Sequence, residues 1–249
     1  MTPPIYFLGD IHGRLDVIRA WNHTHEGCAL IQVGDFGLGF QPRSKDIDNL
    51  VALHELLKAK DNHCYTIRGN HDDPSFFAGD YEYINALSQR TLCGIRTHLL
   101  RDNRILEIHG KRIFFCGGAV SVDRHRRTEG EDYWANEKFG WDGETPEGHL
   151  DAVVTHSAGS WTGMTYEDIA WYIAQEKKAG GDLVPDLDAE RKLHDKLLDA
   201  VLWQNPGLRW FYGHFHQPLH RAVGDLEFTG LDVNQIVSWD ESHSAPSSP

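Results

Sequence analysis

One pattern recurs along the chain: a short apolar run is followed at once by a polar cluster, in four of five cases one that contains glycine. The runs are IYFL, ALIQV, CYTI, DAVV and RWFY. Short, continuously apolar runs are typical of central strands that are covered on both faces. The pattern therefore predicts an α/β protein in which several buried strands each end at a polar cluster.

Between and after these strands, the apolar positions take a helical spacing. The predicted helices cover residues 14–22, 44–59 and 187–203. Asn205-Pro206-Gly207 follows the last of them and is a typical helix stop. These helices supply the layers that an α/β sheet needs on its faces.

Two hairpins and one irregular segment complete the pattern. The hairpins are predicted over residues 104–118, turning at Gly110-Lys111, and 219–233, turning at Gly224-Asp225. The segment 121–149 contains arginines and tryptophans without a clear period, which is common for a lid or a binding loop. A partner surface is the alternative for it.

The domain is expected to cover residues 1–241. The remaining residues, 242–249 (SHSAPSSP), are too polar to pack and are expected to be disordered.

Composition narrows the classes of protein. The chain has 249 residues and a formal net charge of -13, which argues against binding extended nucleic acid. Its four cysteines form no CxxC motif, so reduced, structural cysteines are expected. No apolar run is long enough to span a membrane, and the N-terminus leads directly into a strand rather than a secretory signal. A soluble protein of the cytoplasm is therefore expected.

The polar clusters carry the candidate chemistry, because ligands bind at the strand ends of α/β sheets. Asp10 and His12 are two residues apart, so in an extended segment both would point to one side. His214 and His216 repeat this spacing. The other clusters add a carboxylate, an amide oxygen and an imidazole, from Asp35, Asn70 and His156.

Each cluster alone has an ordinary structural explanation. Gly-Asp is common turn chemistry, and a pair of histidines can simply lie at the surface. Five clusters that each follow a buried-strand pattern favour a metal site instead. Mixed Asp, Asn and His donors suit Mn, Fe or Zn better than Ca or Mg, which prefer oxygen ligands.

The ordered series GDIHG, GDFG, RGNHD, VVTH and GHFH resembles the calcineurin-like metallophosphoesterase superfamily. The resemblance runs from residue 9 to 216. It implies a four-layer α-β-β-α sandwich of two mixed β-sheets flanked by helices. It also implies two divalent metals, with manganese the first expectation and iron, zinc or nickel the alternatives. One metal is expected on Asp10, His12, Asp35 and His216, and the other on Asp35, Asn70, His156 and His214.

The implied reaction is hydrolysis of a phosphoester. Two metals clamp the attacking and leaving oxygens and supply a bridging hydroxide that attacks phosphorus directly, so no phosphoenzyme is expected. His71 matches the catalytic histidine of the superfamily and would, when protonated, assist the leaving oxygen.

The second motif departs from the GDxxDRG form of the protein phosphatases. Residues 34–40 read GDFGLGF, so the acid that orients the catalytic histidine and the arginine that holds phosphate are both replaced. Asp72 and Asp73 are the candidates to orient His71. Candidate phosphate ligands are Arg68 and Arg124, with Arg126 and Arg127 beside the latter, although these three could equally form a solvated turn.

Three functions remain open at this stage. The first is a phosphomonoesterase acting on a phosphoprotein or a small phosphorylated metabolite. The second is a phosphodiesterase acting on nucleotides or nucleic-acid ends, for which the aromatic residues of segment 121–149 could stack on a base. The third is a scaffold without activity, although the chain keeps all seven candidate ligands and His71.

Overall fold

The computed structural model describes residues 3–79, 86 and 94–240. The helices within them are α1 (Leu15–Thr24), α2 (Arg43–Lys58), α3 (Ala170–Lys178) and α4 (Val184–Leu202). Short 3₁₀ helices lie at Pro74–Phe76, Arg124–Arg126 and Ser160–Thr162. The strands are β1 (Ile5–Leu8), β2 (Ala29–Gln32), β3 (His63–Thr66), β4 (Thr97–Leu99), β5 (Arg104–Ile108), β6 (Lys111–Cys116), β7 (Ala152–Thr155), β8 (Arg209–Tyr212), β9 (Leu219–Val223), β10 (Leu226–Gly230) and β11 (Ile236–Ser238).

The strands form two mixed sheets. The first has the order β11-β1-β2-β3-β4, in which β1 to β4 are parallel and β11 is antiparallel to β1. The second has the order β5-β6-β7-β8-β10-β9, with a parallel centre and an antiparallel strand at each edge. In both sheets the parallel strands direct their carboxyl ends to one edge, where the predicted polar clusters begin.

Three hydrophobic cores separate four layers. Successive side chains of a strand point to opposite faces. Thus Phe7 packs between the sheets, where its ring stacks on that of Phe211 at 3.5 Å, whereas Leu8 faces α1 and α2. The outer face of the second sheet packs Trp210 against Leu197 of α4. The predicted α-β-β-α sandwich of two mixed sheets is confirmed.

The predicted helices correspond to α1, α2 and α4, with each boundary within three residues. Both hairpins are confirmed, but the first turns at His109-Gly110, one residue earlier than predicted. His109 and Gly110 have φ of 49° and 75°, as a tight two-residue hairpin turn requires. The pattern did not indicate α3, β4 or β11.

Two further features of the described residues concern the cysteines and the length of the helices. Cys28, Cys64 and Cys116 are free and buried, as expected of structural cysteines. None of the described helices is long and apolar enough to cross a membrane. Cys93 and the polar tail 242–249 lie outside the described residues.

Candidate metal centre

All seven predicted ligands meet in one cluster at the carboxyl ends of the parallel strands. Asp10 follows β1, Asp35 follows β2 and Asn70 follows β3 in the first sheet. His156 follows β7 and His214 follows β8 in the second sheet. The site therefore lies where the edges of the two sheets face each other, which is the usual ligand position of such folds.

One half of the cluster combines two carboxylates with two imidazoles. Asp10, His12, Asp35 and His216 each offer one ligand atom, and these atoms all lie within 4.8 Å of one another. Nε2 of His216 lies 3.0 Å from Oδ2 of Asp10 and 3.2 Å from Nε2 of His12. Donor atoms this close, from two buried acids, a half-buried His12 and an exposed His216, can converge on one cation.

The other half is arranged around the side-chain oxygen of Asn70. Oδ1 of Asn70 lies 3.0 Å from Nε2 of His156 and 2.9 Å from Nδ1 of His214. Oδ1 of Asp35 lies 3.4 Å from the same His156 nitrogen, whereas its Oδ2 lies 3.8 Å from Nδ1 of His12. Asp35 is thus the side chain that contacts both halves.

Hydrogen bonds behind the cluster orient its donor atoms. Nδ1 of His156 lies 2.9 Å from the carbonyl oxygen of Val33, so a donated hydrogen there leaves Nε2 free to bind a cation. Nδ2 of Asn70 donates to Oγ of Ser121 at 2.8 Å, which turns the amide oxygen towards the two imidazoles. Ser121 in turn donates its N–H and its hydroxyl to Glu137, each at 2.7 Å.

The backbone at the ligands differs from the extended conformation that the sequence suggested. His12, Asp35, His214 and His216 have φ of 44°, 56°, 66° and 51°. Residues other than glycine seldom adopt this left-handed region, and those that do are concentrated at functional sites. The two-residue spacing of the histidines therefore works through tight turns, which direct His214 to Asn70 and His216 to Asp10.

Glycines precede several ligands because the neighbouring strand ends approach the backbone closely. A Cβ at Gly69 would overlap the side chain and backbone nitrogen of Asp35, and a Cβ at Gly213 would overlap the carboxylate of Asp10. Glycine is needed at both positions to let two ligand-bearing segments touch.

The charges of the cluster favour a bound cation. Burial alone would lower the pKa of His156, but the carboxylates of Asp35 and Asp10 raise it to about 10. Burial opposes ionisation of Asp35, yet His156, His71 and His12 hold its pKa well below the usual range. Asp35 thus remains ionised in a buried site and attracts positive charge.

His71 lies beside the cluster and is not oriented by either predicted acid. The carboxylate of Asp72 accepts from the backbone N–H groups of the 36–38 turn and of Gly69 at 2.7–3.1 Å. Asp73 instead caps the 3₁₀ helix at Pro74–Phe76. Among the described residues, Nδ1 of His71 has no hydrogen-bond partner. The expectation that Asp72 or Asp73 orients His71 was wrong, because the backbone takes up both acids.

The side chain at hydrogen-bond distance from the imidazole of His71 is Arg127. Its Nη2 lies 3.1 Å from Nε2 of His71, and Asp123 holds the guanidinium with two hydrogen bonds of 2.7 Å. Burial lowers the pKa of His71, Asp35 raises it, and Arg127 lowers it further. The pKa of His71 is thus lowered overall, which disfavours the protonated His71 that the resemblance implies.

The two arginines named as first phosphate candidates are engaged elsewhere. Arg68 is 6% exposed. Its guanidinium donates to Asp102 at 2.9 Å and to the carbonyl oxygens of Glu137 and Lys138 at 2.7 Å each. Arg124 bonds Glu176 at 2.8 Å and Asp186 at 2.6 Å. Of the arginines in segment 121–149, the structure brings Arg127 to His71.

Ser121, Glu137 and Asp123 are the functional neighbours that sequence reasoning missed. All three lie in the irregular segment 121–149, where no periodicity or motif marks them. Their roles arise only when the segment folds against the strand ends.

The donor set fits divalent metal ions, because it offers buried carboxylate and amide oxygens together with imidazole nitrogens, and hydrogen bonds from behind orient Asn70 and His156. Such a cluster at the facing edges of two sheets defines a candidate metal-binding protein of the α-β-β-α class. More specifically, the chain belongs to the calcineurin-like phosphoesterase family, whose model matches residues 3–218. The resemblance noted in the sequence is thereby confirmed.

Comparison with curated proteins gives no match. Among solved structures, a phosphopantetheinyl hydrolase from Mycobacterium tuberculosis is similar, with a TM-score of 0.45 and 13% sequence identity. The similarity covers 94% of this chain and 90% of that chain.

Proposed function

We propose that this protein is a two-metal phosphomonoesterase. The observation that carries the proposal is the convergence of seven donor side chains in two halves that share Asp35. Mn is the first candidate metal, with Fe, Zn or Ni as alternatives, because the donors mix oxygen with nitrogen. When bound, the two ions supply Lewis acidity and a hydroxide nucleophile at neutral pH.

The protein's own groups divide the remaining tasks. Asp10, His12, Asp35 and His216 would hold one ion, and Asp35, Asn70, His156 and His214 the other. His71 lies with Nε2 3.9 Å from Oδ2 of Asp35, which places the imidazole at the edge of the cluster. From there it can pass a proton to the leaving oxygen, a role that the lowered pKa of His71 opposes.

Arg127 is the proposed phosphate ligand. Asp123 fixes its guanidinium in a bidentate pair, and the same guanidinium reaches Nε2 of His71. A fixed guanidinium at the edge of the cluster suits the planar face of a phosphoryl group. Its Nη1 donates one hydrogen to the carbonyl oxygen of Asp132 at 2.9 Å, and the second hydrogen of Nη1 suits the additional anionic oxygen that a monoester has over a diester.

The test is a metal-reconstitution assay. Protein stripped with a chelator receives Mn, Fe, Ni, Zn or Mg singly, and turnover is measured on p-nitrophenyl phosphate and on its bis ester. We expect turnover restored by metal and greater on the monoester. Asp35→Asn and His71→Ala should lose at least about a hundredfold in kcat.

A control and two adverse outcomes make the assay decisive. His23→Ala removes an exposed imidazole on α1 and should leave turnover unchanged. Greater turnover on the bis ester would favour a phosphodiesterase. Bound metal without turnover on either ester would favour the scaffold.

A further inference from the structure

A cavity of about 310 Å³ opens directly from the candidate metal centre. Its inner end is formed by side chains of the cluster and by His71. These are Asp35, Asn70, His71, His214 and His216. Ligand pockets commonly measure about 300–1,000 Å³, so the cavity has the size of a small-molecule site.

The outer part of the cavity is lined by apolar and polar side chains in similar number, and its apolar wall is built from separate segments. Val122 comes from segment 121–149, Tyr172 from α3, Leu187 from α4 and Phe215 from the turn after β8. Ile169, at the start of α3, completes this wall. Leu187 is buried, and the other four are half-buried. An apolar wall that begins at the metal ligands can hold the part of a substrate attached to the phosphate.

The charged groups along this wall disfavour a second anion. Three carboxylates line the cavity, from Asp123, Asp168 and Glu190. Arg191 also lines it, but its Nη2 donates to the carbonyl oxygen of Met164 at 3.1 Å and its guanidinium stacks on a tyrosine ring. A substrate that carried a carboxylate or a second phosphate into this cavity would meet the like charges of Asp123 and Asp168.

We propose that the cavity binds the alcohol part of the substrate, and that this part is small, without negative charge, and aromatic or branched apolar. The inference rests on the proposed phosphomonoesterase function and narrows its substrate class. Phosphorylated sugars, phosphorylated hydroxy acids and phosphoprotein segments match the wall less well. Each of them would place polar groups or anions against its apolar side chains.

Three esters of primary alcohols test the proposal without a large difference in leaving-group chemistry. They are 2-phenylethyl phosphate, glycerol phosphate and O-phosphoserine, each assayed with metal-loaded protein. We expect kcat/KM for 2-phenylethyl phosphate to exceed the other two by at least about tenfold, as burial of a few apolar groups can supply. Equal values, or a preference for phosphoserine, would overturn the proposal.

Two wall variants test whether the preference comes from this cavity. Ile169→Ala and Tyr172→Ala should each lower the ratio of kcat/KM for 2-phenylethyl phosphate over glycerol phosphate by about tenfold. The matched control is Val223→Ala, which removes apolar atoms from an exposed position on β9 and should leave the ratio unchanged. A ratio that does not fall in the wall variants would overturn the proposal.

Failure of the proposed monoesterase function can be distinguished from failure of the cavity proposal. If no metal restores hydrolysis of p-nitrophenyl phosphate or of the three esters, the monoesterase function is refuted. Calorimetric titration with 2-phenylethyl phosphate then tests the cavity alone. Binding that is weakened by Tyr172→Ala supports the cavity as an apolar ligand site, and absence of binding refutes it.

Discussion

Replacing Ser121 with alanine should weaken metal binding although Ser121 itself binds no metal. The hydroxyl accepts from Nδ2 of Asn70 at 2.8 Å and donates to Oε2 of Glu137 at 2.7 Å. All three residues are at most 2% exposed, so water cannot replace the lost partner. Without it, the amide of Asn70 is free to rotate away from the position that presents Oδ1 to His156 and His214.

The loss of stability in Ser121→Ala follows from the number of buried polar groups left without hydrogen-bond partners. The variant leaves one buried donor and one buried acceptor unpaired, each at about 1–3 kcal/mol. The free energy of unfolding should therefore fall by at least about 2 kcal/mol. Loss of a group that orients a metal ligand typically costs about 10–100-fold in metal affinity. Calorimetric titration with Mn²⁺ and urea unfolding of the metal-free protein measure the two effects separately.

Asn22→Ala is the matched control. Asn22 is 3% exposed and hydrogen-bonds Asn62 at 2.8 Å and the carbonyl oxygen of Leu56 at 3.1 Å, with no contact to a candidate ligand. It should lower stability by a similar amount and leave Mn²⁺ affinity unchanged. If Ser121→Ala binds Mn²⁺ as tightly as the native protein does, the orienting role of Ser121 is refuted.

Three further changes test the site and the fold. Gly69→Ala should abolish Mn²⁺ binding, measured by calorimetry, because its methyl group would overlap Asp35; native affinity would contradict the close approach. Phe7→Ala should lower the free energy of unfolding in urea by about 3–5 kcal/mol, because its ring stacks on Phe211 between the sheets; a loss below about 1 kcal/mol would refute this. Burial raises the pKa of Glu190 to about 7 from 4.5, so the folded state keeps the proton to a higher pH than the unfolded state does. The free energy of unfolding should therefore fall by about 3 kcal/mol as pH rises from about 4.5 to 7. Metal-free Glu190→Gln should lack this part of the decline, and an unchanged pH dependence would refute the shift.

The sequence by itself predicted most of the strands, their order along the chain and the candidate metal ligands. Short apolar runs followed by polar residues are a local signal, since a buried strand and the turn after it lie within about ten residues. The same signal predicted Asp10, Asp35, Asn70, His156 and His214 at strand ends, where the structure places them. Their order along the chain also carried the resemblance to the family that the comparison confirms.

Tertiary structure alone decided how the ligands are held and what surrounds them. The left-handed turns at His12 and His216 depend on contacts with the neighbouring strand ends, which no local pattern encodes. Ser121, which is held by Glu137, reaches Asn70 from a segment without periodicity. Arg127, rather than Arg124, meets His71 because Glu176 and Asp186, from α3 and α4, bind the guanidinium of Arg124. Pairings between residues distant in sequence are fixed only when the sheets and helices pack. The sequence therefore predicts the candidate ligands but not the residues that orient them.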